Sequence, residues 1–166
     1  MTVDAEKLIF NNALSIIENQ SELEDLELNI DLKLKIKIKT QQLYCVLHQR
    51  FIQTPKGMEL MKQKIMKGDI GCCPRVLCHK QTVIPYCESI DPANSENETM
   101  VYCPKCKGLF KPDYLKHQKL NGAHFGPYFA GILMLCYPKI VLNPKKEVHI
   151  PKIYGFKIHK ESPLHP

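Results

Sequence analysis

Two cysteine pairs, Cys73 and Cys78 in CPRVLC and Cys103 and Cys106 in CPKC, constrain this chain more than any other feature, and 24 residues separate them. In each knuckle a proline follows the first cysteine. Zinc takes four thiolates in a tetrahedron at about 2.3 Å, and a short loop lets two sulfurs reach one ion while backbone amides face them. A catalytic zinc instead keeps a position for water and draws on His or carboxylate ligands. Four sulfurs leave no such position, so the spacing predicts one structural Zn2+ per chain. Buried thiols or disulfides would use the same residue type but would not require two knuckles. The C-x4-C half is longer than the usual C-x2-C.

A length of 166 residues suits one domain, or two small ones of which one needs a staple, and zinc would be that staple. No run of some 18 apolar residues is present to cross a membrane, and MTVDAEKLIF lacks the basic-then-apolar pattern of a secretory signal. The expected setting is cytoplasmic and nuclear. Thiols stay reduced there, and eight cysteines favour metal over disulfides. Cys45, Cys72, Cys87 and Cys136 are then expected as small core or surface residues. The formal net charge of +6 hides an asymmetry, because residues 1–31 carry −7 and the remainder +13. A basic body can attract nucleic acid or acidic protein segments, although scattered surface lysines more often only solvate.

Ile9, Ala13, Ile16 and Ile17 recur at helical spacing and predict a helix over residues 5–19. Six acids then crowd into residues 18–31, an expected exposed loop or helix end. From Asn29 to Lys39 apolar and polar residues alternate through Ile30, Leu32, Leu34, Ile36 and Ile38, a strand pattern. Leu32, Ile36, Leu43 and Leu47 also share a helical face, so local pattern leaves both forms open. Thr54 followed by Pro55 reads as a helix start, with Met58, Met61 and Ile65 on one face and Gly68 as the stop. The boundary between a helical part and a zinc-centred β part therefore falls at Gly68 to Gly71. DPANSENETM is expected as a polar loop between the knuckles, and GILMLCY, from Gly131 to Tyr137, as a buried strand closed by Pro138. IYGFKI near the end has no helix period, and either adds a strand or displays its side chains.

Phosphate loops, nucleophile elbows and kinase signatures are absent, and the seven histidines show no metal-ligand pairing on a helix. The reading is therefore non-enzymatic.

From Leu43 onward, LYCVLHQRFIQTPKG, KGDIGCCPRVLC, YCPKCKGLFKP, NGAHFGPYF and PKIYGFKIH resemble the regulatory (beta) subunits of casein kinase II. The resemblance implies an α+β fold: a helical domain with an acidic loop (1–69), a four-cysteine zinc-binding, zinc-ribbon-like β domain for dimerisation (70–144), and a C-terminal kinase-docking segment (145–166). It carries the zinc ligands onto Cys73, Cys78, Cys103 and Cys106, leaves Cys72 free, and makes Pro74, Val76 and Leu109 contacts to a second protomer. Tyr154 and Phe156 become the aromatics that dock onto a catalytic subunit, with Gly155 allowing a tight turn. From the residues alone they are equally core residues of a last strand. The resemblance also turns residues 29–39 into helix.

Set beside the family, the sequence lacks the stretch that usually precedes the first helix, with its serine-rich phosphorylated start. It keeps the acidic loop only as SELEDLE, and its tail beyond His159 is short. The implied role is a non-catalytic homodimer that bridges two Ser/Thr kinase catalytic subunits and influences their stability and choice of protein substrates. The rival is a zinc-ribbon nucleic-acid-binding protein, prompted by the basic body and by Phe110, Tyr114 and Phe125 near lysines.

Overall fold

The computed structural model describes residues 3–19, 22–23, 28–93, 98–141, 150–159 and 161–162. Helix α1 (Val3–Ile17) follows the apolar spacing of its sequence, burying Ile9 and Ala13 and half-burying Ile16 and Ile17, and it packs along α2. Glu18 and Glu22 are exposed, whereas Glu24, Asp25 and Glu27 of the acidic segment lie outside the described residues.

Helix α2 (Ile30–Ile52) decides the ambiguous segment. Asn29 caps it, its Oδ1 accepting from the amides of Asp31 at 2.7 Å and Leu32 at 3.2 Å, and Asp31 sets a negative charge in the positive first turn. The alternating apolar residues do not share one buried side. Ile36 is fully buried, Leu32 is half-buried, and Ile30, Leu34 and Ile38 are exposed. A period of two predicts a strand only when it separates core from solvent, and here it does not.

Helix α3 (Pro55–Lys67) begins and ends as its sequence demands. Thr54 Oγ1 accepts from the Gly57 amide at 3.1 Å, Pro55 opens the first turn, and Gly68 closes the helix at φ 80°. Thr54→Ala is expected to lower stability by about 1 kcal/mol, and Thr54→Ser to restore most of it. Urea titration of the three proteins checks this, and an unchanged midpoint for the alanine variant would remove the cap from the account.

Beyond Gly68 the chain builds an antiparallel sheet from β1 (Ile84–Tyr86), β2 (Met100–Tyr102) and β3 (Leu109–Phe110), in that order. Ile84 pairs with Tyr102 and Tyr86 with Met100, and Val101 pairs with Phe110. Pro85 is tolerated because β1 is an edge strand. The loop after β1 is exposed from Asp91 to Ala93 except for half-buried Pro92, and its residues 94–97 lie outside the described set. A short helix α4 (Leu115–Gln118) follows β3.

The expected strand over Gly131–Tyr137 is a helix, α5 (Phe129–Cys136). Phe129, Ala130 and Leu133 are buried while Gly131 and Leu135 are exposed, which is a spacing of four and not of two. A short apolar run has no polar residues to reveal its period, so length and context decide it. Residues 142–149 are outside the described set, and β4 (Lys152–Ile153) and β5 (Phe156–Lys157) then form a two-residue hairpin.

Two apolar clusters hold the fold. One gathers Ile52 of α2, Met61 and Ile65 of α3, Ile84 of β1, and Phe129, Ala130 and Leu133 of α5, with Ile140. The other is Val83, Val101 and three of the knuckle cysteines. Ile70 packs against both, and Gln81, fully buried, donates from Nε2 to the Ile140 carbonyl at 3.0 Å. The fold is α+β, a helical N-terminal region followed by a small zinc-ribbon-like sheet that carries a cysteine cluster. No helix among the described residues is long and apolar enough to cross a membrane.

Candidate metal centre

Each knuckle is a reversed turn that presents its sulfurs inward. In the first, the Cys73 amide donates to the Gln81 carbonyl at 2.8 Å, and a single 3-10 turn over Val76–Cys78 takes up the two additional residues of C-x4-C. His79 and Lys80 then turn the chain at φ 52° and 55°. In the second, the Cys103 amide donates to the Gly108 carbonyl at 2.9 Å and the Lys107 amide to the Cys103 carbonyl at 2.8 Å.

The four sulfurs lie within 4.8 Å of one another, and they form the one group of three or more His, Cys, Asp or Glu among the described residues able to hold a metal ion. Across the knuckles, Cys73 and Cys106 Sγ are 3.9 Å apart, as are Cys78 and Cys103 Sγ. Four sulfurs at zinc–sulfur bond length around one ion stand about 3.8 Å apart, so the set fits a tetrahedral thiolate site. Cys73, Cys78 and Cys103 are buried and Cys106 half-buried.

The electrostatics agree. Burial pushes the Cys73 thiol far up despite a hydrogen bond from the Arg75 amide, and burial likewise raises Cys78. Burial also opposes ionisation of Cys106, but the Gly108 amide and the neighbouring cysteine thiols outweigh it and bring Cys106 down to about 7. Without a cation the cluster shares its protons unequally, and a divalent ion would let all four sulfurs ionise together. Arg75 and Gly108 are the amides that face the sulfurs, two residues beyond Cys73 and Cys106. Knuckle geometry anticipates such donors in kind, but nothing in the sequence singles out these two.

The other residues singled out from the sequence fall in two places. Pro74, Val76 and Leu109 surround the knuckles and are exposed, Val76 to 87%. Tyr154 and Phe156 sit on the β4–β5 hairpin at 96% and 79% exposure. Tyr154 and Gly155 form its turn at φ 48° and 87°, the two positive values that a tight I′ turn requires. Neither aromatic packs into a core formed by the described residues. Cys72, next to the site, is half-buried and outside the cluster, Cys45 and Cys87 are buried, and Cys136 is exposed.

Of the aromatics that prompted a nucleic-acid reading, Phe110 packs on the knuckle cluster and Phe125 on the main core, both half-buried. Tyr114 alone is exposed, with its ring edge against His117. The three do not make a stacking platform. The structure also joins two histidines far apart in sequence: His48 Nδ1 donates to the His124 carbonyl at 2.8 Å, and their rings meet edge to face at 5.9 Å. Burial, and then His48, lower the pKa of His124.

A family model described as casein kinase II regulatory subunit matches residues 2–157. Among similar proteins, casein kinase II subunit beta of Dictyostelium discoideum is 41% identical over 120 residues, 72% of this chain and 44% of that protein. Casein kinase II subunit beta-2 of Neurospora crassa is 33% identical over 162 residues, 98% of this chain and 55% of that protein. Subunit beta of Schizosaccharomyces pombe is 38% identical over 122 residues, 74% and 52% of the two chains. The chain thus spans about half the length of the curated relatives it matches. With the four-sulfur cluster, the cap-bounded helices and the YGF hairpin all falling inside the matched span, this chain belongs to the casein kinase II regulatory subunit family.

Proposed function

We propose that the chain is a non-catalytic regulatory subunit, holding one structural zinc through Cys73, Cys78, Cys103 and Cys106. It pairs with a second copy across the knuckles and carries catalytic subunits of casein kinase II on its C-terminal hairpin, two chains of each kind in the complex. Through that attachment it stabilises the kinase and biases its choice of protein substrates, in the cytoplasm and nucleus. The observation that carries this reading is the hairpin. Tyr154 and Phe156 project almost fully into solvent from a turn whose backbone is already set, so docking them costs little conformational entropy. Exposed Pro74, Val76 and Leu109 on metal-clamped loops support self-association for the same reason.

Light scattering on a sizing column, with a casein kinase II catalytic subunit added, tests the reading. The parent chain is expected to form the two-plus-two complex. Tyr154→Ala and Phe156→Ala are each expected to cost about 2 kcal/mol of kinase affinity, while the regulatory dimer persists. Failure of the parent chain to bind, or binding that ignores both substitutions, would refute the assignment.

A further inference from the structure

Leu34, Ile38, Gln41, Cys45, His48 and Ile52 follow one another at intervals of four, three, four, three and four residues, the spacing of a coiled-coil seam. In the second half of α2 this seam lies against the protein. Cys45 and Ile52 are 2% and 1% exposed, and His48 meets His124. Toward the N-terminus the same seam continues with its apolar residues in solvent, Leu34 at 56% and Ile38 at 47% exposure, and Ile30 beside them at 88%. Half a turn round the helix Ile36 is completely buried, and α1 packs along α2. Among the described residues the first half of α2 is therefore buried behind and open in front.

Lys35 and Lys37 flank this open seam, one on each side, at the positions that choose partners in coiled coils. Both are exposed, and Lys35 also holds Asp31 at 2.6 Å in a solvent-screened pair. We propose that the open face of α2, with Leu34 and Ile38 on its seam and Lys35 and Lys37 beside them, docks an acidic amphipathic helix of a partner protein. Three properties choose this occupant. The apolar strip is one ridge wide, which suits the knobs of a single helix, whereas a helix lying in a lipid surface presents a broad apolar face. Its centre is aliphatic, which offers nothing to a nucleic-acid backbone. A second copy of α2 would bring lysine against lysine, so the flanks discourage self-pairing and favour glutamate or aspartate. The inference is independent of the metal and of the kinase-docking hairpin.

The test is fluorescence anisotropy of the full chain with a labelled acidic peptide of about 20 residues, long enough to form helix, with leucine at seam positions and glutamate beside them. Saturable binding is expected, weakened about tenfold or more by Lys35→Glu with Lys37→Glu, and about tenfold by Leu34→Ser. The same peptide with lysine for glutamate should reverse the order, binding the doubly substituted chain better than the parent. Unchanged far-UV circular dichroism would show that these exposed substitutions leave the fold intact. Equal binding of parent and charge-reversed chains would overturn the proposal. So would binding to phosphatidylserine vesicles without binding to the peptide, or a Leu34→Ser variant that lost self-association, which would assign the face to a second copy.

Discussion

Stripping the proposed metal from Cys73, Cys78, Cys103 and Cys106 is expected to unfold the sheet β1–β2–β3 and, in the proposed dimer, to separate the two chains in the same transition. Among the described residues, the apolar cluster around the site contains, besides the cysteines, only Val83 and Val101 as buried side chains. Burying two valines contributes about 3–6 kcal/mol, too little to hold the two knuckles and their turns against conformational entropy, and the main core anchors the sheet through Ile84 on one edge strand. A four-thiolate zinc contributes on the order of 10 kcal/mol in small domains. Far-UV circular dichroism should report loss of structure beyond Gly68 with much of the α1–α2 signal kept, and limited proteolysis should cut between Gly68 and Gly126. Cys103→Ser should reproduce the chelated state. Cys72→Ser should not, because Cys72 lies beside the cluster and outside it. A chelated chain that stayed paired and protease-resistant would sink the structural role of the metal.

Phe129→Ala is expected to destabilise the protein by about 3–5 kcal/mol, the usual cost of emptying a fully buried aromatic site. Phe129 is completely inaccessible and lies in the cluster formed by α2, α3, β1 and α5, so the cavity would open where the helical region meets the sheet. Leu135→Ala, at 85% exposure on the same helix, should change stability by no more than about 0.5 kcal/mol. The pair also tests the helical state of the segment. As a strand it would turn Phe129, Leu133 and Leu135 to one side, and both substitutions would then be costly. As a helix it buries Phe129 and Leu133, four residues apart, and leaves Leu135 in solvent. Comparable losses in urea unfolding for the two variants would contradict the helix.

Features governed by chemistry over a few residues were legible without the structure. The knuckle cysteines were, because a tetrahedral ion demands sulfurs in close pairs, and the four come together within 4.8 Å. So was α3, because Thr54, Pro55 and Gly68 act on backbone groups within one turn of themselves. The hairpin at Tyr154 and Gly155 was half legible. The resemblance implied a tight turn at Gly155, while the exposure of the aromatics depends on what the rest of the chain leaves uncovered.

The amino-acid sequence by itself determined which four cysteines come together and the limits of α3, since capping and the pairing of knuckle sulfurs are local. The folded structure decided what the local pattern left open. Residues 30–38 alternate like a strand, yet form a helix that Asn29 caps, that buries Ile36 and that leaves Ile30, Leu34 and Ile38 in solvent. Residues 131–136 have no polar marker, and became helix because the pocket between α3 and β1 takes Phe129 and Leu133 from successive turns. His48 and His124 meet across 76 residues of chain. Such choices depend on which surfaces meet after the chain folds back on itself, and a periodicity read along the chain carries no record of what lies across from it.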